Sequence, residues 1–180
     1  DDGGWRMESR KYPLLTQKGA WRLGKAGEWS YSNIVFPDDK TGEQVYGGFY
    51  TIKEMKEVVA YAAKKHVTVV PEIEMPGHNQ PAIDCYPELG CRLDKRQVNN
   101  VFCPGNAKAM QFLKDILDET MEMFPSKHIH IGADEVNHSD WEKCPDCAKV
   151  RSDNHLKNSA ELQSWFVRQM DEYLRSKGRI

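Results

Sequence analysis

Residues 130–135 read HIGADE, which sets Asp134 and Glu135 side by side after a short apolar run and two small residues. Two carboxylates whose surroundings push their pKa values apart, one ionised and one protonated, are the arrangement general acid–base chemistry uses. Adjacent side chains of a regular strand point to opposite faces, so these two share a pocket only if the backbone turns as the strand ends. Gly132 and the small Ala133 make that departure cheaper. A solvated turn with an N-capping Asp ahead of the next helix accounts for the same residues, and spacing alone leaves both readings open. His78 follows the turn at Pro76-Gly77 in "MPGH", where a hydrogen-bonded structural histidine stands beside the catalytic reading. His66, His128, His138 and His155 are read as structural. A metal site made from His78, Asp134 and Glu135 is conceivable, yet no H-x-x-x-H or comparable pair supports it, and no metal is assigned.

These residues need elements to hold them. The stretch "TIKEMKEVVAYAAKKH" begins with a capping box, Thr51 and Glu54, and spaces Ile52, Met55, Val58, Val59 and Ala62 along one face, which predicts a helix of about four turns. "VTVVPEIEM" follows at once, β-branched and largely apolar, and reads as a strand buried on both faces that ends at Glu72, Glu74 and Pro76-Gly77. Asn106 caps a second helix with Leu113, Ile116, Leu117, Met121 and Phe124 inward, and Pro125 ends it. The short strand "HIHIG" comes next, then a loop, and then a third helix with Leu162, Trp165, Phe166, Met170, Tyr173 and Leu174 as its stripe and Gly178 beyond its end. The closing "RI" reads as the opening of another strand.

Helices alternating with apolar strands give an α/β class with parallel strands and right-handed crossovers, as in a doubly wound sheet or a (β/α)8 barrel. In both, the site lies at the C-terminal ends of the strands, where His78, Asp134 and Glu135 fall. Asp1-Asp2 before Gly3-Gly4-Trp5 reads as the exit of an earlier strand. A full barrel needs about 250 residues, so 180 residues are expected to hold only part of one. The start, "DDGGWRMESR", has neither an initiator Met nor a basic leader and reads as a piece of something longer.

Lys and Arg number 25 against 27 Asp and Glu, a net charge of −2 without long blocks of one sign, so no nucleic-acid partner is expected. No apolar run reaches the ~20 residues of a membrane helix. Five cysteines, Cys85, Cys91, Cys103, Cys144 and Cys147, make an odd set that fits neither a complete disulfide framework nor a full four-cysteine zinc site. "CPDC" has the C-x2-C spacing of a zinc half-site, but no second half-site of similar spacing appears, so packing or disulfide chemistry is the expectation.

"HIGADEV" resembles the H-x-G-G-D-E motif of family 20 glycoside hydrolases, the β-N-acetylhexosaminidases. "VVPEIEMPGH" resembles the strand and loop that precede it there, and "DDGGWRMESRKYPLLTQKGAWR" the segment after the second strand. "YGGFYT", "YPELGC" and "NVFCPGN" fit in order and spacing, so the resemblance spans nearly the whole chain. It implies a partial (β/α)8 TIM barrel, from about the end of strand 2 to helix 4, with residues 1–180 forming part of a single catalytic domain. It also implies retaining, exo-acting, substrate-assisted hydrolysis through an oxazolinium intermediate, an exception to the two-carboxylate scheme. Glu135 would be the general acid and base, with a proton kept by a raised pKa in a closed apolar pocket; Asp134 would hold the acetamido N–H. His78 and Asp1 would form a supporting hydrogen-bonded network.

Partners would be glycans ending in N-acetylglucosamine or N-acetylgalactosamine, with no cofactor, and a catalytically silent sugar-binding relative is the alternative. Ala133 stands where the family usually has a second Gly, and the family's first-strand arginine and the pocket residues of its strands five to eight are absent from the chain. Little or no turnover is therefore expected of the 180 residues alone. Cys91 and Cys103 flank an insertion and could pair, which would suit a secreted, periplasmic or lysosome-like compartment.

Overall fold

The computed structural model describes residues 3–24, 34–37, 44–93 and 100–180. Helix α1, Leu14–Gln17, leads into two short antiparallel strands, β1 (Trp21–Leu23) and β2 (Val45–Gly47), with Arg22 opposite Tyr46. Helix α2 runs Ile52–Lys64, and both halves of its capping box form, the Thr51 side chain with the Glu54 N–H and the Glu54 side chain with the Thr51 N–H. Helix α3, Gln80–Cys85, is followed by a 3-10 turn at Pro87–Leu89. Helix α4, Ala107–Met123, starts at Asn106, whose side chain accepts from the Lys108 N–H. Two short helices, α5 (Ser139–Lys143) and α6 (Pro145–Asp153), precede α7, Ser159–Ser176, capped by Asn158 through the Glu161 N–H. Gly178 lies just past α7 at φ +75°, the left-handed position that ends helices at a glycine.

The expected strands at "VTVVPEIEM" and "HIHIG" are extended segments joined by one parallel bridge, Glu72 to His130. The His130 N–H donates to the Pro71 carbonyl (3.0 Å), the Ile73 N–H to the His130 carbonyl (2.9 Å) and the Met75 N–H to the Ile131 carbonyl (3.0 Å). The parallel direction is as expected, but the ladder is too short to make regular strands. On the other side of residues 127–129, the Ile180 N–H donates to the Lys127 carbonyl (2.8 Å) and the Ile129 N–H to the Ile180 carbonyl (3.0 Å), so "RI" does pair as a further strand would.

The expectation of burial on both faces needs correction. Pro71, Ile73 and Met75 are buried, whereas Val70 and Glu72 are exposed and Glu74 is half-buried. This is the period-two alternation of a sheet with one covered face. The covered face packs on α4 and α7 through Phe112, Leu113, Ile116, Leu117, Phe166, Met170 and Leu174, each fully buried chain contributing about 1.5–3 kcal/mol. Helix α2 touches α4, yet none of its residues is buried, and Val58 and Tyr61 face outward.

The N-terminal segment is tied to α4 by polar groups. Glu119 accepts from the Ser9 hydroxyl (2.6 Å) and from the Arg10 and Lys11 N–H groups (3.0 and 3.2 Å). Asp115 accepts from Lys11 Nζ (2.7 Å), the Tyr12 hydroxyl (2.8 Å) and Gln111 (2.9 Å). Burial pushes the Asp115 carboxyl up, but Lys11, Tyr12 and Gln111 together hold it below the ordinary value.

A second, smaller core lies beside the first, with Val101, Cys103, Trp141, Cys144, Cys147 and Leu162 buried in it. Cys91 and Cys103 are not bonded to each other; both are free thiols. Cys144 and Cys147 crowd in beside them, so the candidate pair is one half of a four-thiol cluster.

Candidate active site

Asp134 and Glu135 stand where the extended segment 128–131 ends. The backbone there does turn out of the extended conformation, with φ +65° at Gly132, +77° at Ala133 and +47° at Glu135. The helix-capping reading fails on geometry, because α5 starts only at Ser139, whose N–H is taken by Asn137 Oδ1 (3.0 Å). His78, itself at φ +53°, comes from the other strand exit and sets Nε2 3.5 Å from Glu135 Oε2. Donor atoms of His78, Asp134 and Glu135 all lie within 4.8 Å of one another. Three of the four expected residues are thus brought together; Asp1 lies outside the described residues.

The surroundings depart from the expectation. The Glu135 side chain is 79% exposed, and Asp134 is exposed as well. The closed apolar pocket expected around Glu135 is not built by the described residues. A cleft of about 220 Å³ opens nearby between Gly4, Trp5, Arg6 and Met7 on one side and Glu72, Glu74 and Asn79 on the other, below the ~300–1,000 Å³ of typical ligand pockets.

Glu74 belongs to the site. Its carboxylate packs against the α-carbon of Gly132 so closely that a β-carbon there would overlap it, and Gly132 also needs its positive φ. Burial first, then the charge of Asp134, raises the Glu74 carboxyl above the ordinary value. Its Oε2 is buried with no hydrogen-bond partner among the described residues. The signal was in the sequence: Glu72 and Glu74, two apart, share the face opposite Ile73. His130 Nδ1 lies 2.9 Å from Glu72 Oε1 and 3.1 Å from the Gly132 N–H. It donates to the first when protonated and accepts from the second when not, so the histidine's tautomer decides which contact is made.

A chain of contacts fixes the two exits relative to each other. Gln163 on α7 donates to the Ala133 carbonyl (2.9 Å) and meets His138 Nε2 (2.6 Å). His138 stacks on Trp141 at 5.1 Å, the Trp141 indole N–H donates to the Phe102 carbonyl (3.0 Å), and the Phe102 N–H donates to the Pro76 carbonyl (2.8 Å). The Asn79 side chain donates to the Glu74 and Gly77 carbonyls and its N–H to Asn100. His138 has the structural role expected of it. Gln163 and Asn79 had no signal in the sequence, because Gln163 acts across 30 residues and Asn79 sits outside any motif of known chemistry.

Over residues 1–180 the chain matches the family described as "Glycosyl hydrolase family 20, catalytic domain". It is 37% identical to a beta-hexosaminidase of Porphyromonas gingivalis and 37% identical to one of Vibrio furnissii, covering 99% of this chain in both and 22% and 30% of those proteins. Among solved structures it resembles a beta-N-acetylhexosaminidase of Bacteroides fragilis, at 41% identity and a TM-score of 0.80 over 99% of this chain and 32% of that one. It also resembles an exo beta-N-acetylglucosaminidase of Vibrio harveyi solved with N-acetylglucosamine, at 34% identity and a TM-score of 0.83 over 99% of this chain and 28% of that one. The chain therefore spans between about a fifth and a third of the length of these relatives.

Proposed function

The chain belongs to glycosyl hydrolase family 20, and from that premise we propose that it carries the acid–base half of a retaining, exo-acting β-N-acetylhexosaminidase. The observation that carries the reading is the convergence of His78 and Glu135, 3.5 Å apart, with Asp134 beside them at the rim where two parallel segments end. On this reading the chain is part of a (β/α)8 barrel, from about the end of strand 2 to helix 4. Glu72, Glu74 and His130 then face the barrel interior, and the outer faces of α2 and residues 67–70 await neighbours.

The chemistry follows from the groups present. Glu135 gives its proton to the glycosidic oxygen as the bond from C1 to that oxygen breaks, while the sugar's own acetamido carbonyl oxygen bonds to C1 and the oxazolinium forms. Asp134 accepts the acetamido N–H and balances the positive charge. Water then attacks C1, Glu135 takes its proton, and configuration is retained. His78, with Asp1 as its proposed second partner, orients Glu135. The substrates would be glycans with a terminal N-acetyl-β-hexosamine, the sugar class bound in the Vibrio harveyi structure.

The full-length protein is expected to release chromophore from an aryl N-acetyl-β-glucosaminide or galactosaminide. Glu135→Gln should lower kcat by about 100- to 10,000-fold, the span of general acid–base catalysis. Wild-type inactivity on both substrates, together with saturable N-acetylglucosamine binding, would instead identify a silent sugar-binding relative. A metal located at His78, Asp134 and Glu135 by anomalous X-ray scattering would point instead to a metal-dependent hydrolase.

A further inference from the structure

The second small core holds chemistry that the hydrolase reading does not use. Cys103, Cys144 and Cys147 are buried and Cys91 is half-buried. Their sulfur atoms lie 3.8 Å apart for Cys91 and Cys147, 3.7 Å for Cys103 and Cys144 and 3.5 Å for Cys103 and Cys147, and all four are within 4.8 Å of one another. A disulfide brings its sulfurs to about 2 Å. A tetrahedron of thiolates around zinc, with Zn–S near 2.3 Å, has edges of about 3.8 Å. The cluster has the dimensions of the second arrangement and not of the first.

We propose that Cys91, Cys103, Cys144 and Cys147 bind one Zn²⁺ as a closed structural site that clasps together the two loops behind the candidate active site.

The backbone around the thiols supports this. The turn at Cys103-Pro104-Gly105 is pressed against Cys144 and the first turn of α6, which carries Cys147. A β-carbon on Gly105 would run into the carbonyl of Asp146 and come 2.6 Å from the Cys147 nitrogen, so only glycine allows the approach. That approach brings the backbone of Gly105 against the segment that carries Cys147. Arg92, next to Cys91 in the chain, is held 3.0 Å from Asp146 and so ties the Cys91 segment to the stretch between Cys144 and Cys147. Four soft sulfur donors with no fifth position select a structural zinc over the hard cations.

The placement explains what a clasp would do. Residues 101–105 are fastened to the His78 loop through Phe102 and Pro76, and α5 and α6 follow directly from Glu135. A metal joining Cys91 and Cys103 to Cys144 and Cys147 fixes the separation of the two strand exits that supply His78 and Glu135. The proposal does not depend on the hydrolase reading, because it is tested by counting metal.

The test uses the full-length protein, purified without a metal-binding tag or chelator from zinc-supplemented medium. Elemental analysis is expected to find one zinc per chain, and X-ray absorption to find four sulfur neighbours near 2.3 Å. Cys144→Ser with Cys147→Ser should lower the zinc content to near zero, while Cys85→Ser and Glu135→Gln should keep it. If the double variant fails to fold, cobalt exchange of the wild type decides, since a tetrathiolate site gives visible cobalt bands with sulfur-to-metal charge transfer. Metal-free protein with these four thiols free, disulfides among these four cysteines, zinc retained by the double variant, or no such cobalt bands would each overturn the proposal.

Discussion

Ala133 holds a backbone angle, φ +77°, that suits glycine better than any L-residue. An L-side chain in the left-handed region costs roughly 1–2 kcal/mol, and replacing it by glycine returns about 0.5–1 kcal/mol of that as unfolded-chain entropy. Ala133→Gly is therefore expected to raise stability by up to about 1 kcal/mol, read from the denaturation midpoint, and to leave turnover equal or higher. A drop in stability would show that residue 133 does not hold this angle. The same residue illustrates what could be read beforehand. The family resemblance marked Ala133 as the departure, but only the fold shows that its carbonyl is held by Gln163 and that the neighbouring Gly132 makes room for Glu74.

At the scale of elements, the helices were the most legible part. Thr51, Asn106 and Asn158 cap α2, α4 and α7, and the inner stripes of α4 and α7 fall where the 3.6-residue period puts them. Helices α5 and α6 were read as loop because the buried residues of 139–153, Asp140, Trp141, Cys144 and Cys147, do not fall on a helical stripe. Strands β1 and β2 are three residues each, too short for a period to emerge. The largely apolar run at 67–75 suggested two covered faces, while the alternation of Glu72 and Glu74 with Pro71, Ile73 and Met75 marks one covered face.

The anchoring of the N-terminal segment to α4 gives a test at this scale. Asp115 has a lowered folded pKa, so its contribution is complete above the unfolded value near 3.9 and is lost as pH falls through the folded one. Asp115→Asn should cost about 1–3 kcal/mol near neutrality, and the gap from wild type should close as pH drops below about 4, followed by thermal melts at several pH values. A gap that stays constant with pH would refute the assignment.

For the molecule as a whole, the apolar groups left uncovered are the informative feature. Val58 and Tyr61 on α2, with Val67 and Val70 after it, are 47–66% exposed on one side of the described residues. On the proposed partial-barrel reading, these surfaces would be covered by the rest of the barrel. The 180-residue chain on its own is expected to self-associate and to bind an apolar-surface dye, and α2 amides should exchange faster in it than in the full-length protein. Equal protection of α2 in both would show that these faces need no cover. The thiol cluster belongs to this scale too. Its members come from positions 91, 103, 144 and 147, so their meeting is a property of tertiary packing that local spacing could not announce.

The alternation along 71–75, with Pro71, Ile73 and Met75 inward and Glu72 and Glu74 outward, sets a rule of length rather than of type. Inserting or deleting one residue there would exchange the two sets, sending carboxylates into the core and apolar chains toward the acids. Single replacements on either face can be absorbed locally. A change in the count of residues between Val70 and Pro76 cannot, so across related chains this stretch should vary in letters and stay fixed in number.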